Sequence, residues 1–334
     1  MSTSRSSSKI VDAREFRVSY FLVPGFSLLA LSSAIEPLRS VNRLLGSNRY
    51  SWNVLGEKKG PIPAGNGLEI QASHDLNDPP EADFTIIVAS LDLENFCNKK
   101  LMSHLRWLHR QGRMIGAISN GTLLLAAAGV LEGRHVTIHW EMFDTLKAKF
   151  PEVDVSSELF CIDKTIYTAA GGASSMDMML ELIISREGEA TAADVAEQFL
   201  HGAVRPSSEV QRSDLRWRYK LTDKRLESVI KIMEKNHSAP VSVARLAETV
   251  DISERQLERL FLKELGSTPS GFYLNLRLDR AHNRLLATTD SLEEIAEIAG
   301  FSSQAHFSRA FKAWCGASPL TVRTRKHRIR VGKI

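Results

Sequence analysis

An internal repeat near the C-terminus limits what this chain can fold into more than any other feature. The segment LAETVDISERQLERLFLKELGSTP, starting at Leu246, returns as IAEIAGFSSQAHFSRAFKAWCGASP, starting at Ile295. Ala247, Glu248 and Ser253 recur 49 residues later as Ala296, Glu297 and Ser302. Leu257, Arg259, Phe261, Gly266 and Pro269 recur 50 later as Phe307, Arg309, Phe311, Gly316 and Pro319. The change of offset predicts a one-residue insertion in the longer-helix segment of the second copy. Each copy reads as a short helix, a tight turn and a longer helix. In the first, Val243, Leu246, Ala247 and Val250 form an apolar stripe at helical spacing. Ser253 is suited to N-cap the next helix, whose Leu257, Leu260 and Phe261 face the same core. In the second, Leu292, Ile295, Ala296 and Ala299 precede Gly300, which can take the left-handed backbone of a helix end. Ser302 then heads a helix with Phe307 and Phe311 inward. A Gly-x-x-Pro closes each copy.

With the apolar stripes turned inward, the opposite face of each longer helix is left for a partner. The first helix offers Glu254, Arg255, Gln256 and Arg259; the second offers Ser303, Gln304, His306 and Arg309. Arginine pairs bidentately with guanine and glutamine with adenine, while serine and histidine suit phosphates or base edges. An ordinary solvated helix face is the plain alternative for each residue. Phe272 to Leu286 keeps Leu274, Leu278, Ala281 and Leu285 in helical phase between the copies. A fifteen-residue helix is about 22 Å long. With its flanking turns it can set two recognition helices about 34 Å apart, one turn of double-stranded DNA. Charge agrees with that partner. The chain carries +4 overall, but residues 221–334 hold 19 Lys and Arg against 13 Asp and Glu, which leaves the remainder slightly acidic. A basic region attached to an acidic one assigns the polyanion to the former.

On the paired units, the GFSSQAHFSRAFKAWCGASP segment and the connecting helix, residues 221–325 resemble the AraC/XylS-type regulator domain. The resemblance implies a helical domain that grips promoter DNA and recruits RNA polymerase. Two departures stand out. The aromatic residue usual after the final Ser-Pro is missing at Thr321 and Val322, and the tail through residues 326–334 is strongly basic, an added phosphate arm.

A length of 334 residues predicts two domains. Upstream of Gly188, short apolar runs alternate with amphipathic stretches. Phe16–Val23, Phe84–Ser90 and Met114–Ser119 are strand-like and apolar nearly throughout, as expected of strands covered on both faces. Segments beginning near Ser27, Asn95, Gly121, Trp140 and Ser174 fit the helices between them, and Ala190–Gly202 adds another. The pattern predicts an α/β, flavodoxin-like N-terminal domain with a largely parallel sheet, followed by the all-α double helix-turn-helix domain. The expected divisions are a disordered start at 1–14, the first domain at 15–202, a polar linker at 203–220, the DNA-binding domain at 221–325 and the tail.

The chemically interesting stretch is ISNGTLLLAAAGVLEGRHVTIHWE, Ile118 to Glu141. A strand ends at Ser119 and a helix starts near Gly121, so Ser119 sits on a sharp turn at the carboxyl edge of the sheet, where open α/β folds bind ligands. This stretch, with Gly171, Gly172, Ala173 and the following SSMDMMLELI, resembles the class I glutamine-amidotransferase-like superfamily that includes PfpI-type peptidases. The joined domains resemble the GlxA-type branch of AraC regulators. In the enzymes of that superfamily a cysteine holds the turn and a histidine follows; the matching residues here are Ser119 and His139. A serine needs a base within about 3 Å, oriented by a third group. No Gly-x-Ser-x-Gly is present, and Glu141 is the nearest acid along the chain. Two readings follow. One is an amidase- or peptidase-like domain using Ser119 and His139. The favoured one is a non-enzymatic sensor in which Asn120 and Gly121 amides bind a carboxylate beside His139 and Trp140, with Glu36 facing a cationic group. The resemblance implies an amino acid or quaternary amine as effector, activation as output and a homodimer joined through the first domain. No cofactor or metal is expected, because Cys97, Cys161 and Cys315 are too widely spaced for a Cys-x-x-Cys site. Neither a signal peptide nor a membrane span is legible, so a cytoplasmic protein is expected.

Overall fold

The computed structural model describes residues 14–90, 93, 99–202, 204–211 and 215–324. Two compact units divide between Gln211 and Arg212. The start predicted to be disordered falls almost wholly outside the described residues, as do Cys97, the Asn95 helix start and the basic tail. Among the described residues no helix is long and apolar enough to cross a membrane.

The first unit is built on a seven-stranded sheet. Its strands are β1 (Phe16–Leu22), β2 (Tyr50–Gly56), β5 (His74–Asp75), β6 (Phe84–Ala89), β7 (Met114–Ser119), β10 (Phe160–Asp163) and β11 (Ile166–Ala169). They lie in the order β10-β11-β7-β6-β1-β2-β5, with only the β10–β11 pairing antiparallel. The three strands with near-continuous apolar sequence are the central three, because only central strands are covered on both faces. On one face Val18, Tyr20, Leu22, Ile86 and Val88 pack with α1 (Leu28–Leu45), α5 (Ser174–Glu187) and α6 (Glu189–Gln198). The alternate residues Ser19 and Thr85 point to α2 (Lys99–Arg110) on the other. Ser27 caps α1 by accepting from the Ala30 amide, and Gly46 ends it at φ 60°. A hairpin, β3 (Gly60–Pro63) with β4 (Glu69–Ala72), and a parallel pair, β8 (His135–Thr137) with β9 (Asp154–Ser156), complete the strands. Between them lie α3 (Gly121–Ala127), a 3-10 turn at Trp140–Met142 and α4 (Phe143–Lys149). The helix expected from Trp140 thus starts with that tighter turn.

The second unit is helical: α7 (Leu215–Tyr219), α8 (Lys224–Lys235), α9 (Val243–Glu248), α10 (Glu254–Leu265), α11 (Pro269–Ala287), α12 (Leu292–Ile298) and α13 (Gln304–Cys315). It has two cores. Leu246, Leu257 and Phe261 pack with α8 and Tyr273 in one, and Ile295, Phe307 and Phe311 pack with Leu278, Ala281 and Leu285 in the other. Helix α11 serves both, so the two copies share one rigid strut. It is longer than the apolar phase indicated, 19 residues or about 28 Å. Pro269 explains the difference: it opens α11 at its first position, behind the Thr268 cap, rather than closing the preceding copy.

Three arginine and tyrosine contacts fix α11 to its neighbours. Tyr273 Oη donates to the Asn236 carbonyl at 2.6 Å, and Arg280 reaches the Glu234 carbonyl at 3.2 Å. Arg277 donates to the carbonyls of Ala299 and Gly300 at 2.7 and 2.5 Å, the end of α12 where unpaired acceptors favour a cation.

The insertion in the second copy also finds its place. Asp251 at φ 53° and Gly300 at φ 71° are equivalent turn residues 49 apart, while the N-caps Ser253 and Ser303 are 50 apart. Ser302 is therefore the extra residue, in the turn rather than in the helix. Ser303, not Ser302, heads α13, because its extended backbone lets Oγ accept from the His306 amide at 3.2 Å.

Candidate functional site

At the carboxyl edge of the first unit, Ser119 ends β7 with φ 58°, a left-handed backbone that a serine adopts only when its surroundings hold it there. What holds it is close packing on both sides. A Cβ on Gly121 would lie 2.5 Å from the Ile87 carbonyl oxygen, and one on Gly171 would lie 2.9 Å from Ser119 Cβ. Both glycines let backbone pass where a side chain would collide.

The Asn120 amide is spent inside the fold. It donates to the Ala89 carbonyl at 3.3 Å, so it is not offered to a ligand carboxylate as expected from sequence. The Asn120 side chain instead donates to the Ser90 carbonyl at 2.9 Å, and its buried Oδ1 has no hydrogen-bond partner among the described residues. An acceptor buried without a donor is costly in free energy.

His139 comes to the same region through the backbone. Thr122 Oγ1, in α3, donates to the Thr137 carbonyl at 2.9 Å, tying the helix after Ser119 to the strand before His139. His139 Nδ1 lies 3.5 Å from Glu141 Oε2, and its ring sits 5.5 Å from that of Trp140 at 38°. Burial lowers the His139 pKa, so the neutral imidazole is favoured. Among the described residues Ser119 Oγ makes no hydrogen bond with His139. Glu36, in α1, is paired: Arg39 Nε donates to its carboxylate at 2.7 Å. A glutamate three residues before an arginine on one helix face reaches it first.

Two features of this unit are not legible in the sequence. The fully buried Asp177 in α5 receives His201 Nε2 at 2.8 Å, the Arg205 amide at 3.1 Å and the Arg205 guanidinium at 2.7 Å. Gln211 Nε2 donates to Thr137 Oγ1, the Ile138 carbonyl and the Glu158 carbonyl at 2.9, 2.8 and 3.0 Å. Residues 204–211, read as linker for their polarity, are thus strapped to the first unit one residue from His139. Leu215 is buried in the second unit's core. A separate cleft of about 190 Å³ opens among Ser19, Thr85, His104, Trp107 and Arg113 and includes none of the predicted effector residues. It is smaller than the roughly 300–1,000 Å³ of most ligand sites.

In the second unit, all eight residues assigned to the DNA face are exposed. Arg255, Arg259 and Arg309 make no ion pair or hydrogen bond with any described residue, which leaves each guanidinium available. Three of the other polar groups are partly committed. Gln256 Oε1 accepts from the Ser253 amide at 2.9 Å, completing a capping box and leaving its amide donor outward. Ser303 caps α13. His306 sits edge-on to Phe301 at 5.3 Å, with Ser302 Oγ 3.5 Å from its Nδ1. Five of the 19 basic residues lie in 325–334, beyond the described ones, so residues 221–324 are close to neutral and what they offer DNA is the placement of charge.

Comparison with known proteins accounts for both units. Residues 17–185 match the DJ-1/PfpI family and residues 246–325 match a helix-turn-helix domain family. The chain is 39% identical over 300 residues to the HTH-type transcriptional regulator CdhR of Pseudomonas aeruginosa, covering 90% of this chain and 89% of that one. It is 35% identical over 311 residues to the HTH-type transcriptional regulator GlxA of Rhizobium meliloti, covering 92% and 96%. The crystal structure of an AraC family transcriptional regulator from Pseudomonas putida superposes with a TM-score of 0.51 at 25% identity, covering 55% of this chain and 99% of that one. The chain belongs to the AraC-type transcriptional regulators of the GlxA branch, in which a DJ-1/PfpI domain precedes a double helix-turn-helix.

Proposed function

We propose that this regulator binds promoter DNA through α10 and α13 in two successive major grooves and activates transcription by recruiting RNA polymerase. It works in the cytoplasm as a homodimer joined through the first unit, when a small nitrogen-containing metabolite occupies the Ser119 turn. The observation that carries the DNA reading is the pair of recognition helices held by one 19-residue strut, each presenting unpaired arginine. Footprinting of genomic fragments locates the site. On that site Arg259→Ala or Arg309→Ala is expected to cost about 1–3 kcal/mol, with a smaller loss on bulk DNA. Equal losses on both by fluorescence anisotropy mean phosphate contacts only. The unequal helices, with two arginines on α10 and one on α13 among the assigned residues, predict unequal half-sites.

The Asn120 acceptor suits the ammonium donor of an amino acid, and the His139–Trp140 ring pair beside the Glu141 carboxylate suits that group or a quaternary amine. Trp140 is expected to add a cation–π contact of about 0.5–2 kcal/mol. A thermal-shift screen of such compounds on the full chain tests this, since a ligand at 100 times its Kd stabilises by about 2.7 kcal/mol. No stabilisation by any member of the class ends the assignment.

The competing reading is hydrolysis at the same turn, favoured by the strained Ser119 backbone and the Glu141 contact to His139. Ser119→Ala separates the two. Retained metabolite-dependent transcription, with no turnover of amide or ester panels by the parent, is the expected result; turnover lost with Ser119 makes the domain an enzyme.

A further inference from the structure

A second cluster of chemically capable side chains lies where β8, β9 and β10 meet. His135 Nε2, a Glu158 carboxylate oxygen and Cys161 Sγ all fall within 4.8 Å of one another. Glu158 Oε2 stands between the other two, 3.1 Å from His135 Nε2 and 3.1 Å from Cys161 Sγ. His135 Nδ1, the other ring nitrogen, is 2.7 Å from Asp154 Oδ2. We infer that this cluster is a divalent transition-metal site, with His135 Nε2, Glu158 and Cys161 as ligands, water completing the shell, and zinc as the natural ion.

The chemistry of the donor set selects the ion. One imidazole, one thiolate and one carboxylate suit a borderline metal that takes nitrogen and sulfur at about 2.0–2.3 Å in a four-coordinate shell, and exclude calcium or magnesium, which prefer oxygen. A divalent ion between a thiolate and a carboxylate leaves the ligand set neutral. Binding releases two protons to solvent, that of the Cys161 thiol and that of His135 Nε2, and Glu158 exchanges the hydrogen bonds it accepts from both for the metal. Asp154 is placed as metal-bound histidines require, since a carboxylate accepting from Nδ1–H fixes the tautomer that turns Nε2 toward the ion. The scaffold is rigid. His135 and Asp154 are paired residues of adjacent strands, the His135 amide donates to Asp163 at 3.1 Å, and Cys161 is buried in β10. His135 is half-exposed, which gives the ion a way in.

The site also has something to act on. The backbone carbonyl of Glu158 accepts from Gln211, and Glu158 bridges Val210. An ion gripping the Glu158 side chain therefore stiffens the loop to which the end of the first unit is strapped. A single sequence does not reveal the cluster, because its ligands are separated by 23 and 3 residues with no recurring spacing.

Cobalt titration of the chelator-stripped full chain tests the site. One Co²⁺ per chain is expected to bind with a near-ultraviolet thiolate-to-cobalt charge-transfer band and tetrahedral ligand-field bands, and Zn²⁺ is expected to displace it. The charge-transfer band is expected to vanish in Cys161→Ser and to survive Cys97→Ser and Cys315→Ser. Asp154→Asn is expected to keep the band but weaken affinity about 10–100-fold. His135→Ala, at a half-exposed position that leaves the core intact, is expected to abolish stoichiometric binding even if Cys161→Ser fails to fold. Absence of the band in the parent, its survival in Cys161→Ser, or unchanged affinity in His135→Ala overturns the assignment.

Discussion

Asp177→Ala is expected to destabilise the first unit by about 3–5 kcal/mol and to release the segment after α6 from the sheet. Asp177 is fully buried, and among the described residues the side-chain and loop donors that reach its carboxylate come from His201 and Arg205. Deleting the carboxylate leaves the Arg205 amide, the Arg205 guanidinium and the His201 ring facing a space that can no longer receive them. Arg205 is one-third exposed and can turn to water, which places the loss toward the lower end. Even there the change is a large fraction of the 5–15 kcal/mol by which most domains are stable. Two readouts separate the contributions. Chemical denaturation reports the overall loss, and limited proteolysis of the folded variant is expected to cut within 201–211, where the parent resists. Arg205→Ala should reproduce the proteolysis with a smaller loss, because Asp177 retains His201. A variant that denatures like the parent and resists the protease shows that Gln211 and the Glu158–Val210 bridge suffice to hold the strap.

Gly300→Ala is expected to cost about 2–5 kcal/mol in the second unit and to uncouple its two copies. One part is backbone: at φ 71° an alanine pays about 1–2 kcal/mol that glycine does not. The other is space. The added Cβ would lie 2.7 Å from the His237 carbonyl oxygen and 2.8 Å from that of Ser238, and backbone atoms cannot swing aside, which adds about 1–3 kcal/mol. The segment after α8 would be pushed off the turn that Arg277 holds, and the fixed relation of α10 to α13 would go with it. Specific DNA binding is expected to fall more than bulk binding. Asp251 is the matched control, in the equivalent left-handed turn of the first copy. Asp251→Gly relieves strain but loses chain entropy, so its expected effect is within about 0.5 kcal/mol. If Gly300→Ala and Asp251→Gly unfold at the same denaturant concentration as the parent, the approach of residues 237–240 is not a constraint.

These positions show what was legible. The central strands and the glycines around Ser119 were, because apolar runs and a strand-turn-helix pattern are local properties. The short strands β10 and β11 were not: each has four residues, and their turn runs through Lys164 at φ 57° with no glycine to announce it. Asp251 hid in the same way, whereas Gly300 was visible as a turn residue. The phase of the second recognition helix was misjudged by one residue because Ser302 and Ser303 are equally good caps by type; only backbone geometry chooses Ser303. In the first unit, the Ser119 turn could be placed from sequence, but the direction of the Asn120 amide and the pairing of Glu36 with Arg39 could not.

The repeat, the alternation of strands and helices and the turn at Ser119 were determined by the sequence itself, since periodicity and residue type act within a few residues of where they are read. Tertiary structure decided which polar groups meet: Asp177 with Arg205 across 28 residues, His135 with Glu158 across 23, and Gln211 with Thr137 across 74. Such pairs leave no local period. They exist because burial forces each donor to find an acceptor, and the fold alone determines which acceptor is within reach.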